Sequence, residues 1–333
     1  MKFLIAGLGS IGRRHFRNLI NLGERDIILF RSHKSTLPDE ELAGFPVETE
    51  LEAALKHKPD AVIISNPTAM HLEVALAVAE AGCHIFIEKP VAYSQQGTDK
   101  LLEVIKKKQL IGAVGFQFRF HPGLRAAYEL VKQGKLGNII SAQAFWGEYL
   151  PGWHPWEDYR LTYAARTDLG GGVVRTLCHP LDYLVWMFGP VKTIDASVLS
   201  TGQLDIDVDD LAEINFTFTN GTLGHIHLDY HRRPGSHTLS LIGTEGTLEW
   251  DNATGITRFL TTSMDQWREV FPAEGFERNS MFISEMKNFI QAVKGFEKPA
   301  CSIDEGIYDM HLVDAVYQAG QEHKSINLVE VGR

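Results

Sequence analysis

The sequence predicts an α/β domain built on a parallel sheet, followed by an α+β domain with a large, mainly antiparallel sheet. Three observations predict this order. The chain begins with an apolar run, a glycine-rich turn and a helical pattern. Continuous apolar runs, typical of strands covered on both faces, recur up to about residue 116. From residue 139 onward apolar and polar residues alternate, as they do in hairpins with one exposed face.

Length and composition exclude several classes of protein. The chain has 333 residues, 44% of them hydrophobic, which suffices for two globular domains. Its formal net charge is -10 and it has no long block of lysine or arginine, which argues against nucleic acid or a membrane surface as partner. Three cysteines without metal-like spacing indicate a reducing cytoplasm and no metal site. No apolar run approaches the roughly 18 residues of a membrane span.

The first apolar run leads into the glycine-rich turn Gly7-Leu8-Gly9-Ser10-Ile11-Gly12. In a strand–turn–helix of this spacing, Gly7 permits a tight turn, Gly9 lets the backbone approach a pyrophosphate, and Gly12 lets the helix pack closely on the strand. The unpaired N–H groups at the start of the helix then face the phosphates. The turn therefore predicts a dinucleotide-binding Rossmann domain, with Ser10 and Ile11 as further cofactor contacts.

The second predicted strand, Ile27 to Phe30, bears on which dinucleotide binds. A side chain about 20 residues beyond the glycines meets the adenosine ribose, and an acid there favours NAD. Here the chain reads Arg31-Ser32-His33-Lys34, without an acid. Arg31 and Lys34 could hold a 2′-phosphate and Ser32 could hydrogen-bond it, so these residues favour NADP. NAD stays the alternative, since the turn could also be a solvated basic loop or place an arginine on the adenine.

Two further strands are predicted at Ala61 to Ile64 and His84 to Ile87. The loops that follow them lie at the carboxyl ends of parallel strands, which face the ligand crevice in such folds. They and the helix after the first loop supply more cofactor candidates: Ser65, Asn66, Pro67, His71, Glu88 and Lys89. For His71 a buried helical position is an equally good interpretation. Lys89 lies between an acid and a proline and could orient a substrate hydroxyl and stabilise negative charge.

The turn GLGSIG, the turn SNPT and the tripeptide EKP together resemble the Gfo/Idh/MocA oxidoreductases. These are NAD(P)-dependent enzymes that act mostly on sugars, inositols and nucleotide sugars. A later Gly-Gly-Gly…His…Asp pattern extends the resemblance over nearly the whole chain. The resemblance implies that Gln117 meets the nicotinamide amide and that Arg119 meets the substrate.

The resemblance also bears on domain organisation and assembly. We expect a Rossmann domain over residues 1–120 and a substrate and oligomerisation domain over residues 121–333. The last helix, about Asp304 to His323, is expected to pack back on the first domain. The sheet of the second domain is expected to form the interface of a homodimer or homotetramer.

The second domain contains an aromatic and charged loop, Leu150 to Arg166. Aromatic faces pack on the C–H faces of sugar rings, while acids and arginines hydrogen-bond hydroxyl or anionic groups. The predicted substrate contacts in this loop are Trp153, His154, Asp158, Tyr159 and Arg160. The alternative is a loop that anchors itself to the sheet through its aromatic side chains.

The glycine run Gly170-Gly171-Gly172 precedes the segment that would carry catalytic groups. By position, His179 matches the family's histidine and Asp182 an acid one turn later, whereas the family's aspartate falls at Thr176. Threonine can form hydrogen bonds but cannot act as a base. The resemblance implies that Lys89 and His179 are catalytic, with His179 accepting the hydroxyl proton as hydride leaves its carbon. Thr176 and Asp182 are expected to contact the substrate.

The predicted function is NAD(P)-dependent hydride transfer between a nicotinamide and a sugar, amino-sugar or nucleotide-sugar hydroxyl or carbonyl group. Two alternatives stay open. One is a glycoside hydrolase that oxidises its substrate transiently with tightly held NAD. The other is a catalytically silent regulator that senses cofactor. Thr176 keeps the regulator open, whereas the presence of both Lys89 and His179 favours an enzyme.

Overall fold

The computed structural model describes residues 1–31, 37 and 39–328. Ser32 and Lys34, two of the three residues predicted to hold a 2′-phosphate, lie outside the described residues. The described part of the chain contains nine α-helices: α1 (Ser10–Asn21), α2 (Leu51–Lys56), α3 (His71–Glu80), α4 (Thr98–Lys107), α5 (Pro122–Lys132), α6 (Val173–Thr176), α7 (His179–Phe188), α8 (Arg278–Val293) and α9 (Ile303–Glu322). Short 3₁₀ segments occupy Glu40–Leu42, Thr68–Met70, Gln117–Phe120, Leu150–Gly152, Tyr159–Leu161, Tyr163–Ala165 and Thr167–Leu169.

Two compact units make up the chain, and each draws on two stretches of sequence. The first unit comprises Met1–Gln117 and Glu277–Met310. The second comprises Phe118–Phe276 and the chain from His311 onward. The chain thus passes from one unit to the other after Gln117, after Phe276 and within α9. The predicted domain ranges, 1–120 and 121–333, and the return of the last helix stay predictions.

The first unit is built on a six-stranded sheet in which every neighbouring pair of strands is parallel. Its strands are β1 (Lys2–Ala6), β2 (Asp26–Phe30), β3 (Val47–Glu48), β4 (Ala61–Ile64), β5 (His84–Glu88) and β6 (Gly112–Gly115). They are ordered β3-β2-β1-β4-β5-β6. The strand order reverses between β1 and β4, and ligands bind outside the carboxyl ends of the strands at such a reversal.

Helices pack on this sheet because its strands are apolar on both faces. All four residues of β4 are fully buried. In the core, Phe16 and Leu19 of α1 join Met286 and Phe289 of α8 against the apolar side chains of the strands. Burying each such side chain contributes about 1.5–3 kcal/mol. The helix at residues 278–293 therefore belongs to the core of the first unit, although it lies far along the sequence.

The second unit contains a nine-stranded sheet, ordered β14-β13-β12-β11-β7-β10-β9-β8-β15. Its strands are β7 (Ile139–Gly147), β8 (Val191–Leu199), β9 (Leu211–Phe218), β10 (Leu223–Asp229), β11 (Ser236–Gly243), β12 (Gly246–Asp251), β13 (Thr257–Thr261), β14 (Arg268–Val270) and β15 (Ile326–Asn327). Within this sheet, as far as the described residues go, β7 and β10 form the only parallel pair. The prediction of a large, mainly antiparallel sheet is confirmed.

The hairpin between β9 and β10 illustrates how the sequence determines this sheet. Gly221 has a φ of 91°, and the Asn220 side chain accepts a hydrogen bond of 3.0 Å from the N–H of Thr222. Alternate residues of β9 are buried, which leaves its other face outward.

No helix in the described part of the chain is long and apolar enough to cross a membrane.

Candidate active site

The glycine turn after β1 combines two crowded positions with one open position. Gly7 has a φ of 99°, and a Cβ there would lie 2.5 Å from the backbone nitrogen of Asn66. A Cβ on Gly12 would collide with the carbonyl oxygen of Gly7. At Gly9, in contrast, a Cβ would meet nothing within 4 Å. Gly9 and Ser10 are exposed and Ile11 is half-buried, so the N-terminus of α1 is accessible to an anionic group.

The loop after β4 lies beside this turn, because β1 and β4 are neighbours. The Ser65 hydroxyl donates a hydrogen bond of 2.9 Å to the carbonyl oxygen of Gly7. Both polar atoms of the Asn66 amide are buried, and neither has a hydrogen-bond partner among the described residues. A buried amide without partners is costly unless a ligand supplies them. Together with the open Gly9 and the start of α1, this amide fits a bound dinucleotide; Pro67 follows directly.

Arg31, at the end of β2, lies beside an acid that the local sequence does not reveal. Its Nη1 donates a hydrogen bond of 2.7 Å to Oδ1 of Asp39. Arg13 of α1 donates to the same oxygen through Nη2, at 3.0 Å. The hydrogen bond from Arg31 is the main cause that holds the pKa of the Asp39 carboxyl below its usual value, and Arg13 adds to it. Of the three residues predicted to hold a 2′-phosphate, the described one thus has a carboxylate partner.

The loop after β5 places Lys89 between two anchored neighbours. Before it, Oε1 of Glu88 lies 2.6 Å from Nε2 of His15, and both side chains are buried. After it, the carbonyl oxygen of Pro90 lies 2.8 Å from Nδ1 of His71. The Lys89–Pro90 peptide bond is cis. Lys89 itself is half-buried.

His71 links the loops that follow β4 and β5. Its second ring nitrogen, Nε2, lies 2.8 Å from the carbonyl oxygen of Asn66. Burial lowers the pKa of His71, although both carbonyl contacts act in the opposite direction. The buried helical interpretation of this residue accounts for its surroundings. Gln117, just after β6, is buried as well.

In the second unit, Arg119 and Asp182 are paired with each other. Arg119 Nε and Nη2 donate hydrogen bonds of 2.9 and 2.6 Å to Oδ1 of Asp182. Both residues are buried, with 3% of Arg119 and 0% of Asp182 exposed. Trp186 lies 5.9 Å from the guanidinium carbon of Arg119. Two predicted substrate contacts therefore form one internal ion pair, which ties the segment after Gln117 to helix α7.

His179 is the first residue of α7 and is packed among aromatic rings. The ring of Phe118 meets it edge-on at 4.9 Å, and the ring of Trp146 lies 5.5 Å away. Only 1% of His179 is exposed. Because Asp182 follows one turn later on the same helix, the ion pair with Arg119 also fixes the backbone that carries His179.

Thr176, at the position of the family's aspartate, is buried beside Tyr230. Burial raises the pKa of Tyr230 well above its usual value, and the neighbouring Thr176 side chain acts in the opposite direction. Thr176 ends the short helix α6, whose start is held by Asp209. The Asp209 carboxylate accepts hydrogen bonds from the N–H of Val174, at 3.0 Å, and from the Tyr317 hydroxyl, at 2.8 Å. Burial raises the pKa of Asp209 against these bonds.

The loop of residues 150–166 satisfies some of its polar groups and leaves others without partners. The guanidinium of Arg160 binds the carboxylate of Asp158 at 2.8 Å, and both side chains are exposed. The Tyr159 hydroxyl donates to the carbonyl oxygen of Leu204 at 2.8 Å. By contrast, Trp153 Nε1 and His154 Nδ1 are buried and have no hydrogen-bond partner among the described residues. The Trp153 ring meets Tyr230 edge-on at 5.7 Å.

Four residues of this machinery were not candidates from sequence: His15, Asp39, Asp209 and Tyr230. His15 lies three residues beyond Gly12, which places it one helical turn into α1, and this spacing could have predicted it. The other three lie far from their partners in sequence or in an irregular loop. Their contacts depend on tertiary structure, and no local pattern predicts them.

The first unit has the strand order, glycine turn and open helix start of a dinucleotide-binding fold. Comparison with family models agrees with this class. The model "Oxidoreductase family, NAD-binding Rossmann fold" matches residues 1–116, and the model "GFO/IDH/MocA C-terminal domain" matches residues 124–249. The chain belongs to the Gfo/Idh/MocA family and is an NAD(P)-dependent oxidoreductase. The predicted family, fold class and type of enzyme are confirmed.

Relatives of known activity support the same class. The chain is 28% identical over 348 residues to myo-inositol 2-dehydrogenase of Thermotoga maritima, an alignment that covers 99% of each. It is 28% identical over 236 residues to levoglucosan dehydrogenase of Pseudarthrobacter phenanthrenivorans, which covers 62% of this chain and 59% of the relative. Neither a glycoside hydrolase nor a silent regulator is supported by these comparisons.

Solved structures share the complete fold. A levoglucosan dehydrogenase in complex with NADH and levoglucosan matches with a TM-score of 0.87 and 19% identity, covering 98% of this chain and 99% of that one. The WlbA dehydrogenase from Bordetella pertussis, in complex with NADH and UDP-GlcNAcA, matches with a TM-score of 0.82 and 20% identity, covering 98% of both. At these identities the likeness shows the fold.

Proposed function

We propose that the protein is a dehydrogenase or reductase that interconverts a CH–OH group and a carbonyl group on a sugar, amino sugar or nucleotide sugar. The observation that carries the proposal is that Lys89, between two anchored neighbours, follows β5, while the Asn66 amide follows the adjacent strand β4. Relatives named for myo-inositol, levoglucosan and D-xylose support a polyhydroxylated substrate.

The cofactor would be held by the glycine turn and the neighbouring loops. The N-terminus of α1 would bind the pyrophosphate, while Asn66 and Gln117 offer amide groups to polar atoms of the ligand. When bound, the nicotinamide supplies the two-electron acceptor or donor. Arg31 supports NADP as the cofactor, and its partner Asp39 supports the alternative, NAD.

Lys89 and His179 have distinct roles in this proposal. The Lys89 ammonium orients the substrate oxygen and stabilises the negative charge that develops on it during oxidation. His179 accepts the hydroxyl proton through a ring nitrogen and returns it in the reverse direction. The rings of Phe118 and Trp146 support this role because they fix the plane of the imidazole.

Thr176 is proposed to contribute a hydroxyl where the family has an acid. Its burial beside Tyr230 and the Asp209 bonds at the start of α6 support a fixed position of that side chain. Such a group can orient a substrate hydroxyl but cannot take its proton. The proton-accepting role is therefore left to His179.

Arg119 and Asp182 are proposed to position α7. A buried ion pair with three short contacts supports this role better than direct substrate contact, which stays a prediction. In the loop of residues 150–166, Trp153 and His154 are the preferred substrate contacts, because each has a buried polar atom without a protein partner in the described structure. Asp158, Tyr159 and Arg160 would then shape the loop.

Assembly and location are part of the proposal. The outward face of β9 and β10 carries the half-buried side chains of Glu213 and His227, joined by a contact of 2.6 Å, and further along β10 the exposed Leu223. We propose that this face forms a homodimer or homotetramer interface. The three cysteines are buried and no disulfide joins them in the described structure, which supports a reducing cytoplasm.

The function is tested by steady-state kinetics on the full chain with NADP, NAD and a panel of sugars, inositols and nucleotide sugars. His179→Ala and Lys89→Met are each expected to lower kcat by about 10²-fold or more. Dinucleotide affinity, measured by fluorescence titration, should stay within about threefold for His179→Ala, which is not a predicted cofactor contact. Turnover within a few-fold of wild type in His179→Ala would contradict the assignment. Cofactor binding without turnover of any substrate would contradict the enzyme.

A further inference from the structure

Asp39 is a charged residue that the mechanism above does not use. One of its oxygens accepts hydrogen bonds from two arginines, at 2.7 Å from Nη1 of Arg31 and 3.0 Å from Nη2 of Arg13. Both arginines are buried, with 6% and 1% of their surface exposed, whereas the Asp39 side chain is 56% exposed. The exposed carboxylate of Asp39 is thus hydrogen-bonded to two arginines that are themselves buried.

The cluster of Arg13, Arg31 and Asp39 lies where the fold binds part of the cofactor. Arg31 directly follows β2, and the residue at this point meets the adenosine ribose in folds of this strand order. The N–H of Gly7 donates a hydrogen bond of 3.0 Å to the carbonyl oxygen of Phe30, so the end of β2 adjoins the glycine turn. Arg31 also has a buried Nε without a hydrogen-bond partner among the described residues. The carboxylate therefore lies where the two nicotinamide cofactors differ.

The charges of the cluster affect its affinity for NADP and for NAD differently. NADP carries a 2′-phosphate where NAD carries a hydroxyl group. A phosphate at Arg31 would approach the negative charge of Asp39, which like-charge repulsion disfavours. A ribose hydroxyl can instead donate a hydrogen bond to that carboxylate. Without the Asp39 carboxylate, the positive charge of Arg31 would be available to the phosphate.

We infer that Asp39 is a cofactor-specificity residue whose carboxylate weakens binding of the 2′-phosphate by Arg31 and so keeps NAD competitive with NADP. The inference rests on the proposed NAD(P)-dependent function. It assigns the acid that usually lies at the end of β2 to a residue eight positions beyond Arg31.

The test compares two adenosine fragments that differ only at the 2′ position. Dissociation constants for 2′,5′-ADP and 5′-AMP are measured by isothermal titration calorimetry on the wild type, Asp39→Asn and Asp39→Glu. Asp39→Asn should tighten 2′,5′-ADP relative to 5′-AMP by about tenfold, the size expected for one nearby charge. Asp39→Glu, which keeps the charge, should leave the ratio within about threefold of wild type. An unchanged ratio in Asp39→Asn would overturn the inference.

Glu41 provides a matched control. Its carboxylate binds Arg13 at 3.0 Å and Arg17 at 2.7 Å, in the same cluster, without a described contact to Arg31. Glu41→Gln removes the same charge and should change the ratio by less than about twofold, because distance and solvent screen its effect. An equal gain in Glu41→Gln would show a general charge effect and overturn the role of Asp39.

A double variant links the effect to Arg31. In Arg31→Gln/Asp39→Asn the gain for 2′,5′-ADP should disappear, which a double-mutant cycle would report as coupling. A gain that persists would overturn the proposed contact. Failure of the wild type to bind either fragment would contradict the dinucleotide site itself, whereas binding with an unchanged ratio contradicts Asp39 alone. Thermal melting of each variant verifies that it is folded.

Discussion

The glycine turn of the first unit and the Arg119–Asp182 pair of the second unit treat polar groups in opposite ways. Beside the turn, the Asn66 amide is buried without a partner in the described structure, and the backbone at Gly9 faces open space. In the second unit, Arg119 and Asp182 are hydrogen-bonded to each other within the protein. A ligand would supply hydrogen-bond partners beside the glycine turn. The Arg119–Asp182 pair instead has its partners within the protein and stabilises the helix that carries His179.

The largest expected effect is a loss of stability when the Arg119–Asp182 pair is broken. Asp182→Asn removes the carboxylate that accepts the hydrogen bonds of the buried Arg119, which costs about 3–5 kcal/mol of unfolding free energy. Urea unfolding of the full chain, followed by circular dichroism, measures the loss. Asp158→Asn is the matched control, because it removes an exposed acid from another arginine pair in the same unit and should not change the midpoint measurably. Similar losses in both variants would contradict the distinction.

A second expected effect, at His121 two residues beyond Arg119, is a dependence of stability on pH. His121 accepts a hydrogen bond of 3.1 Å from the N–H of Gly123 at the start of α5, and burial lowers its pKa to about 4. Since the usual pKa of histidine is about 6.5, the unfolded chain takes up this proton first. The stability that neutral His121 contributes is complete above about pH 6.5. It is lost as the pH falls towards 4, which lowers the unfolding free energy by up to about 3 kcal/mol.

His121→Asn tests this assignment. Asparagine also accepts a hydrogen bond at a helix N-terminus but does not titrate. Unfolding free energies measured between pH 7 and pH 4 should therefore fall less steeply in the variant than in the wild type. The pKa of His71 is lowered too, so part of the slope should persist. Identical slopes would show that His121 does not titrate as described.

The smallest effect concerns the region that awaits a ligand. Asn66→Ala removes two buried polar atoms that have no partner in the described residues, so stability should stay the same or rise. Dinucleotide affinity should fall by about tenfold, as expected when one or two hydrogen bonds are lost. Thermal melting and fluorescence titration measure the two quantities on one sample. A loss of stability with unchanged affinity would mean that the amide is structural.

The regularity of the first unit explains how much of it the sequence predicts. The glycine spacing and the fully apolar strands are local patterns, and they lead directly to β1, β4, β5 and the start of α1. The strands β3, β14 and β15 have only two or three residues, too few to show a periodicity. The parallel contact of β10 with β7 could not be predicted either, because hairpin patterns indicate only neighbours in sequence.

The contacts of site residues are harder to predict than their positions. Lys89 and His179 follow from motifs, but what surrounds them does not. Arg119 and Asp182 are separated by 63 positions, and only the folded second unit brings them together. The same holds for Thr176 and Tyr230. For Arg31, the residues next to it in sequence include no acid, and its contact with Asp39, eight positions later, could not be predicted from them.

His71 has a consequence that is best expressed by counting protons. A neutral imidazole carries one N–H, yet two carbonyl oxygens, of Asn66 and Pro90, each lie 2.8 Å from a ring nitrogen. Burial lowers the pKa of this histidine and so favours the neutral ring, in which only one of the two carbonyls can receive the proton at a time. In that form the loops that carry Asn66 and Lys89 compete for one hydrogen-bond donor, and the tautomer of His71 shows which loop receives it.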